Sequence, residues 1–174
     1  MLGKQLPQIS GQIVNWTALK VRWLTVAIVL LGVTNVFLRY GLSLSYAWIQ
    51  DLVVYFHVAV FMVGGAYISI KDGHVRINIF YSNFSNKVKK YINSITYIVI
   101  VAPFFIYLHY AAYNYVINSW KILEASSSYG GLDAIFILKT FIWIFSYLMV
   151  FASIYVAFGN ATSEEAPHTN EEHI

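Results

Sequence analysis

Apolar residues run along this chain in four long blocks, about 19–38, 48–70, 91–115 and 132–158, separated by shorter polar stretches. A helix rising about 1.5 Å per residue needs about 20 apolar residues to cross a hydrocarbon core of about 30 Å, so each block predicts a membrane-spanning helix. The many Val and Ile residues do not argue for strands, because a helix satisfies its own backbone where no water is present. A transmembrane barrel is excluded as well, since its strands would alternate lipid-facing and lumen-facing residues.

Two flanking stretches carry a helical period without the length of a span. Leu2, Leu6, Ile9, Ile13 and Trp16 recur on one face with Lys4, Gln5, Gln8, Gln12 and Asn15 between them, and Ile77, Phe80, Phe84 and Val88 repeat the pattern. They predict amphipathic helices at about 2–16 and 77–88 that lie on the inner leaflet; packing against protein would give the same pattern. Pro7 then has to fall in a first turn. The segment 159–174 is polar and acidic, with Glu164, Glu165, Glu171 and Glu172, and predicts a disordered cytoplasmic tail. The fold expected is an all-α integral membrane protein with one four-helix domain over residues 1–158.

Composition agrees: the chain is 59% hydrophobic and 11% charged, against about a quarter charged in soluble domains. The net charge of +3 is small, and the basic residues flank apolar blocks instead of forming a nucleic-acid stripe. Lys4, Lys20 and Arg22 precede the first block, and Lys71, Arg76, Lys87, Lys89 and Lys90 lie between the second and third. Arg39, Lys121 and Lys139 are sparse by comparison, so both termini are expected in the cytoplasm. The length of the first block argues against a cleaved signal peptide. Absence of Cys excludes disulfides, thiolate metal sites and thiol catalysis. No HExxH, phosphate-binding Gly loop, GxSxG or intramembrane carboxylate pair is present, and no enzyme is expected.

A few polar residues interrupt the blocks. Asp51 reads as a helix-start residue, and its face continues through Tyr55, Val58, Met62, Gly65 and Ser69 towards small residues that allow close helix approach. His57 points about 240° away around the same helix and shares a face with Phe61, Gly64 and Ile68, which predicts a second protein contact. His109 lies between Phe105 and Tyr113, with a kink expected at Pro103. Two intramembrane histidines raise bis-imidazole haem ligation and hence an electron-transfer subunit. Their depths would differ by about 8 Å, so packing or hydrogen bonding is the preferred reading and no cofactor is expected.

The junction of the first two blocks reads Asn35-Val36-Phe37-Leu38-Arg39-Tyr40, then Trp48-Ile49-Gln50-Asp51-Leu52. The second block closes with Lys71-Asp72-Gly73-His74-Val75-Arg76-Ile77, and Glu124-Ala125-Ser126 precedes the last. This combination resembles the DctQ-like small membrane subunit of tripartite ATP-independent periplasmic (TRAP) transporters. Gln50 stands where the family usually has the first of two acids, and a proline common near the start of its last span is absent.

The resemblance implies sodium-driven uptake of an organic acid across a bacterial inner membrane. A large membrane subunit would carry substrate and sodium, and a periplasmic substrate-binding protein would deliver the solute. The small subunit would be a scaffold among phospholipids that helps form the docking surface. The motif residues, with His57, Gly64, Gly65 and Ser69, become candidates for subunit-interface or structural roles. Arg39 and Asp51 lie near the same outer boundary, where either a mutual polar contact or separate snorkelling to water is open.

Overall fold

The structure, a computed structural model, describes residues 2–71 and 85–159. Regular structure among them is helical: α1 Leu2–Val21, α2 Trp23–Gly41, α3 Ala47–Ile70, α4 Asn86–Thr96, α5 Ala102–Ala111, α6 Tyr113–Lys121 and α7 Ile135–Ile154. Two π-helical turns, Tyr97–Val101 and Tyr155–Gly159, follow α4 and α7. Four stretches are long and apolar enough to cross a membrane: Gln5–Gly41, Ala47–Ile70, Tyr91–Lys121 and Ile135–Phe158. Gly73, His74, most of the segment predicted as a second interfacial helix, and the acidic tail after Gly159 lie outside the described residues.

The spans form an open row. α2 packs on α3, α3 on α7, and α7 on α5, whereas α2 and α5 do not pack on each other. Burial follows that order: α2 and α5 have no buried residues, while α3 buries Ile49, Tyr55, Ala59, Val63, Ala66 and Ser69. Small residues bring the two central helices together, as expected where lipid removes the hydrophobic drive between helices and only close packing rewards association. Gly65 faces Phe145, to which an added Cβ would come within 3.5 Å. The Ser69, Ser146 and Ser153 hydroxyls donate to the carbonyls of Gly65, Ile142 and Met149 at 3.0, 2.8 and 2.8 Å, so each buried serine is satisfied within its own helix.

α1 crosses α3, α7 and the second π turn on one side of the row. Its docking face is Pro7, Ser10, Gly11 and Val14, all buried, while Leu6, Ile9, Ile13 and Trp16 are exposed. The predicted apolar stripe therefore faces away from this chain. Gly11 is required by contact: a Cβ there would lie 2.6 Å from Tyr155 Cε2. Pro7 sits past the first turn, inside the helix, where the neighbouring Ser10 hydroxyl donates to its carbonyl at 2.8 Å.

In the third span the irregularity near Pro103 takes the form of the π turn immediately before α5. Proline supplies no amide to the preceding turn, and a widened turn is one way a helix absorbs that loss. The helix is interrupted again at Ala112 before α6. Ser85 caps α4 by accepting from Val88 N at 3.5 Å, and Ser94 Oγ donates to Ala157 O at 3.1 Å, tying the third span to the second π turn.

Candidate functional site

Polar chemistry concentrates where α3 begins, α6 ends and α7 begins. α6 closes on a left-handed residue, Leu123 at φ 45°, with Leu123 N donating to Trp120 O and Glu124 N to Ser119 O. These two bonds satisfy carbonyls at the helix end, as in a Schellman cap, and reverse the chain without glycine. Ile135 N then donates to Glu124 O at 3.0 Å, so the loop between α6 and α7 is pinned at both ends.

Side chains complete the clasp. Glu124 pairs with Lys139 of α7, and the Lys139 ammonium also lies 3.9 Å from the centroid of the Tyr115 ring. That hydrogen-bonded ammonium holds the Glu124 carboxyl below its usual range. Trp120 Nε1 donates to Thr140 Oγ1 at 2.9 Å, a second cross-link between α6 and α7.

Asp51 reaches the same loop from α3. Its Oδ2 accepts from Leu132 N at 2.8 Å. Gly131 packs so closely that an added Cβ would lie 2.5 Å from Asp51 Oδ2 and 2.7 Å from Ser126 Cβ. Asp51 is thus not a helix-start residue, because α3 begins at Ala47 and its first turn holds no acid. It also does not meet Arg39, whose guanidinium lies 5.9 Å from the centroid of the neighbouring Tyr40 ring.

The remaining candidates are spread out. Trp48 and Gln50 are exposed, with Trp48 tilted against Tyr46 at 6.4 Å, and Asn35 is partly buried on α2. Ser126 Oγ accepts from Ser128 N at 3.3 Å inside the loop. Gly64, Gly65 and Ser69 lie along α3, Gly65 and Ser69 at its contact with α7. His57 is exposed midway along α3, stacked on Phe61 at 6.4 Å, and Phe61 is 74% exposed.

His109 lies on α5, its Nε2 3.4 Å from Tyr147 Oη and its ring 5.2 Å from that of Trp143. Since α3 and α5 each pack on α7 and not on one another, the structure does not bring His57 and His109 together. Among the described residues no group of three or more His, Cys, Asp or Glu is placed to hold a metal ion.

Lys139, Tyr115, Trp120, Thr140 and Gly131 carry much of the clasp without having stood out as site residues. A lysine within an apolar block, with an acid upstream, was the one signal available for the ion pair.

An open row of apolar helices, with its polar groups spent on fixing one loop, defines a multi-pass membrane protein built as a structural component. Its family is specific: residues 28–163 match the family model described as tripartite ATP-independent periplasmic transporters, DctQ component. The chain belongs to that family, and is a small membrane subunit of the TRAP type in the inner membrane. No curated protein and no solved structure matches it.

Proposed function

We infer that this subunit is the static scaffold of a sodium-coupled importer of an organic acid. A large membrane subunit carries solute and sodium, a periplasmic binding protein delivers the solute, and the clasped loop contributes to the surface on which that protein docks. Both termini face the cytoplasm, in keeping with the cluster of Lys71, Arg76, Lys87, Lys89 and Lys90. The observation that carries the scaffold reading is the uncovered face of α3, where His57 and Phe61 stand exposed in mid-span. An imidazole facing hydrocarbon is costly, whereas a polar group on a partner helix would satisfy it. The open row leaves the large subunit room to lie against that face.

The test is recovery of the large subunit with this chain in mild detergent, together with solute uptake in cells. His57→Leu should weaken recovery by about 1 kcal/mol, a several-fold loss, because one interhelical hydrogen bond is removed. Deleting the chain should abolish uptake. Undiminished uptake without this chain would end the claim that the scaffold is necessary.

A further inference from the structure

Where α1 meets α2 the chain turns at Arg22, and the elbow leaves a groove of about 240 Å³ against α3. The walls are apolar: Ala18, Leu19 and Val21 on one side, Val60 and Val63 on the other. Gly64 keeps the groove open, since a Cβ there would find no atom within 4 Å. Gly64 lies about 10 Å along α3 from Lys71, the depth of the upper part of an acyl chain below a basic boundary.

Two polar side chains line the mouth, Arg22 and Thr25. Three residues apart, they share one side of the helix. Both keep donors to spare. The Thr17 and Thr34 hydroxyls each donate to a carbonyl one turn back at 2.8 Å, but Thr25 makes no such bond among the described residues. The Arg22 guanidinium lies 5.8 Å from the Trp23 ring centroid and pairs with no described carboxylate. Lys71 adds positive charge from the far side, 5.8 Å from the ring centroid of Tyr67, another groove residue.

An uncompensated guanidinium and a free hydroxyl above an apolar slot match a ligand that is anionic at one end and hydrocarbon along its length. A partner helix would fill the slot yet leave Arg22 without counter-charge. We propose that the α1–α2 elbow binds an anionic phospholipid, with one acyl chain between α1 and α3 and the phosphate held by Arg22 and Thr25. The bound lipid fills the elbow and so fixes the angle at which α1 leaves the first span.

The full chain, purified in mild detergent and delipidated, is titrated with phosphatidylglycerol or phosphatidylethanolamine of the same chain length, and adducts are counted by native mass spectrometry. A phosphatidylglycerol carrying a diazirine near the end of one acyl chain locates the site. Phosphatidylglycerol should be retained preferentially, and the label should fall on groove peptides. Arg22→Gln with Thr25→Val should lower retention by about fivefold, the loss expected when one basic contact with an anionic headgroup goes. Arg22→Lys should restore most of it, which separates headgroup binding from a folding defect. Gly64→Leu should block the acyl label. Equal retention of the two lipids, labelling outside the groove, or unchanged retention in the Arg22→Gln, Thr25→Val chain would each overturn the proposal. Recovery of the large subunit is read separately, so loss of the lipid site and loss of the scaffold role remain distinguishable.

Discussion

Replacing Asp51 by alanine removes the acceptor on which the α6–α7 loop closes, the bond from Leu132 N at 2.8 Å. A hydrogen bond to a charged group is worth about 1.5–3 kcal/mol, and Asp51→Ala should destabilise the folded chain by that amount. Asp51→Asn keeps an oxygen and should cost about 1 kcal/mol. Gly131→Ala attacks the same contact from the other side. Its Cβ would lie 2.5 Å from Asp51 Oδ2 and 2.7 Å from Ser126 Cβ, so the carboxylate must swing away from the Leu132 amide. Overpacking of this kind costs about 1–3 kcal/mol. Because both changes break one bond, and the first relieves part of the crowding made by the second, the double variant should cost less than their sum by about 1 kcal/mol or more. The assay is unfolding of the full chain by graded sodium dodecyl sulfate in mild detergent, followed by tryptophan fluorescence. Arg39→Gln belongs in the same series as a neutral control. Additivity within about 0.5 kcal/mol would refute the shared contact.

Gly11→Ala should loosen α1 by about 1–3 kcal/mol, because the new methyl meets the Tyr155 ring; faster proteolysis of the N-terminal helix checks this, and an unchanged cleavage rate would count against the contact. The Glu124 carboxyl, held below its ordinary value of 4.5 by Lys139, adds stability that is present above that value and fades as pH falls through the lower folded value. Thermal unfolding from neutral pH into the acid range should show this softening, and Lys139→Gln should flatten it. Acidic substitutions at Lys87, Lys89 and Lys90 should disturb orientation by weakening the cytoplasmic charge bias, as read by cysteine accessibility of engineered termini. Unaltered accessibility would remove the cluster from topology control.

The four spans were legible because block length and continuous apolarity respond to one solvent constraint. The docking face of α1 was not. Periodicity marks residues that water rejects, and it marked Leu6, Ile9, Ile13 and Trp16, whereas contact between helices in lipid selects small residues such as Ser10 and Gly11. Asp51 was legible as an unusual acid but not by its partner. The Leu132 backbone amide has no side-chain identity to read, and 81 residues separate the pair. The motif around Arg39 and Trp48 pointed to the family, yet these side chains sit on the surface of the lone subunit, so their partners belong to the assembly.

The π turn at Tyr97–Val101 has a consequence for how length changes act on the third span. Such a turn is geometrically equivalent to one residue inserted into an α-helix. Deleting a single residue there would let α4 run into α5 as one regular helix, rotating everything beyond it by about 100° relative to Ser94. His109 and Phe105 would leave α7 while Ser94 kept Ala157. Along this stretch the phase of the helix, more than the identity of any residue, decides which neighbours meet, and shortening by one should be worse tolerated than many substitutions.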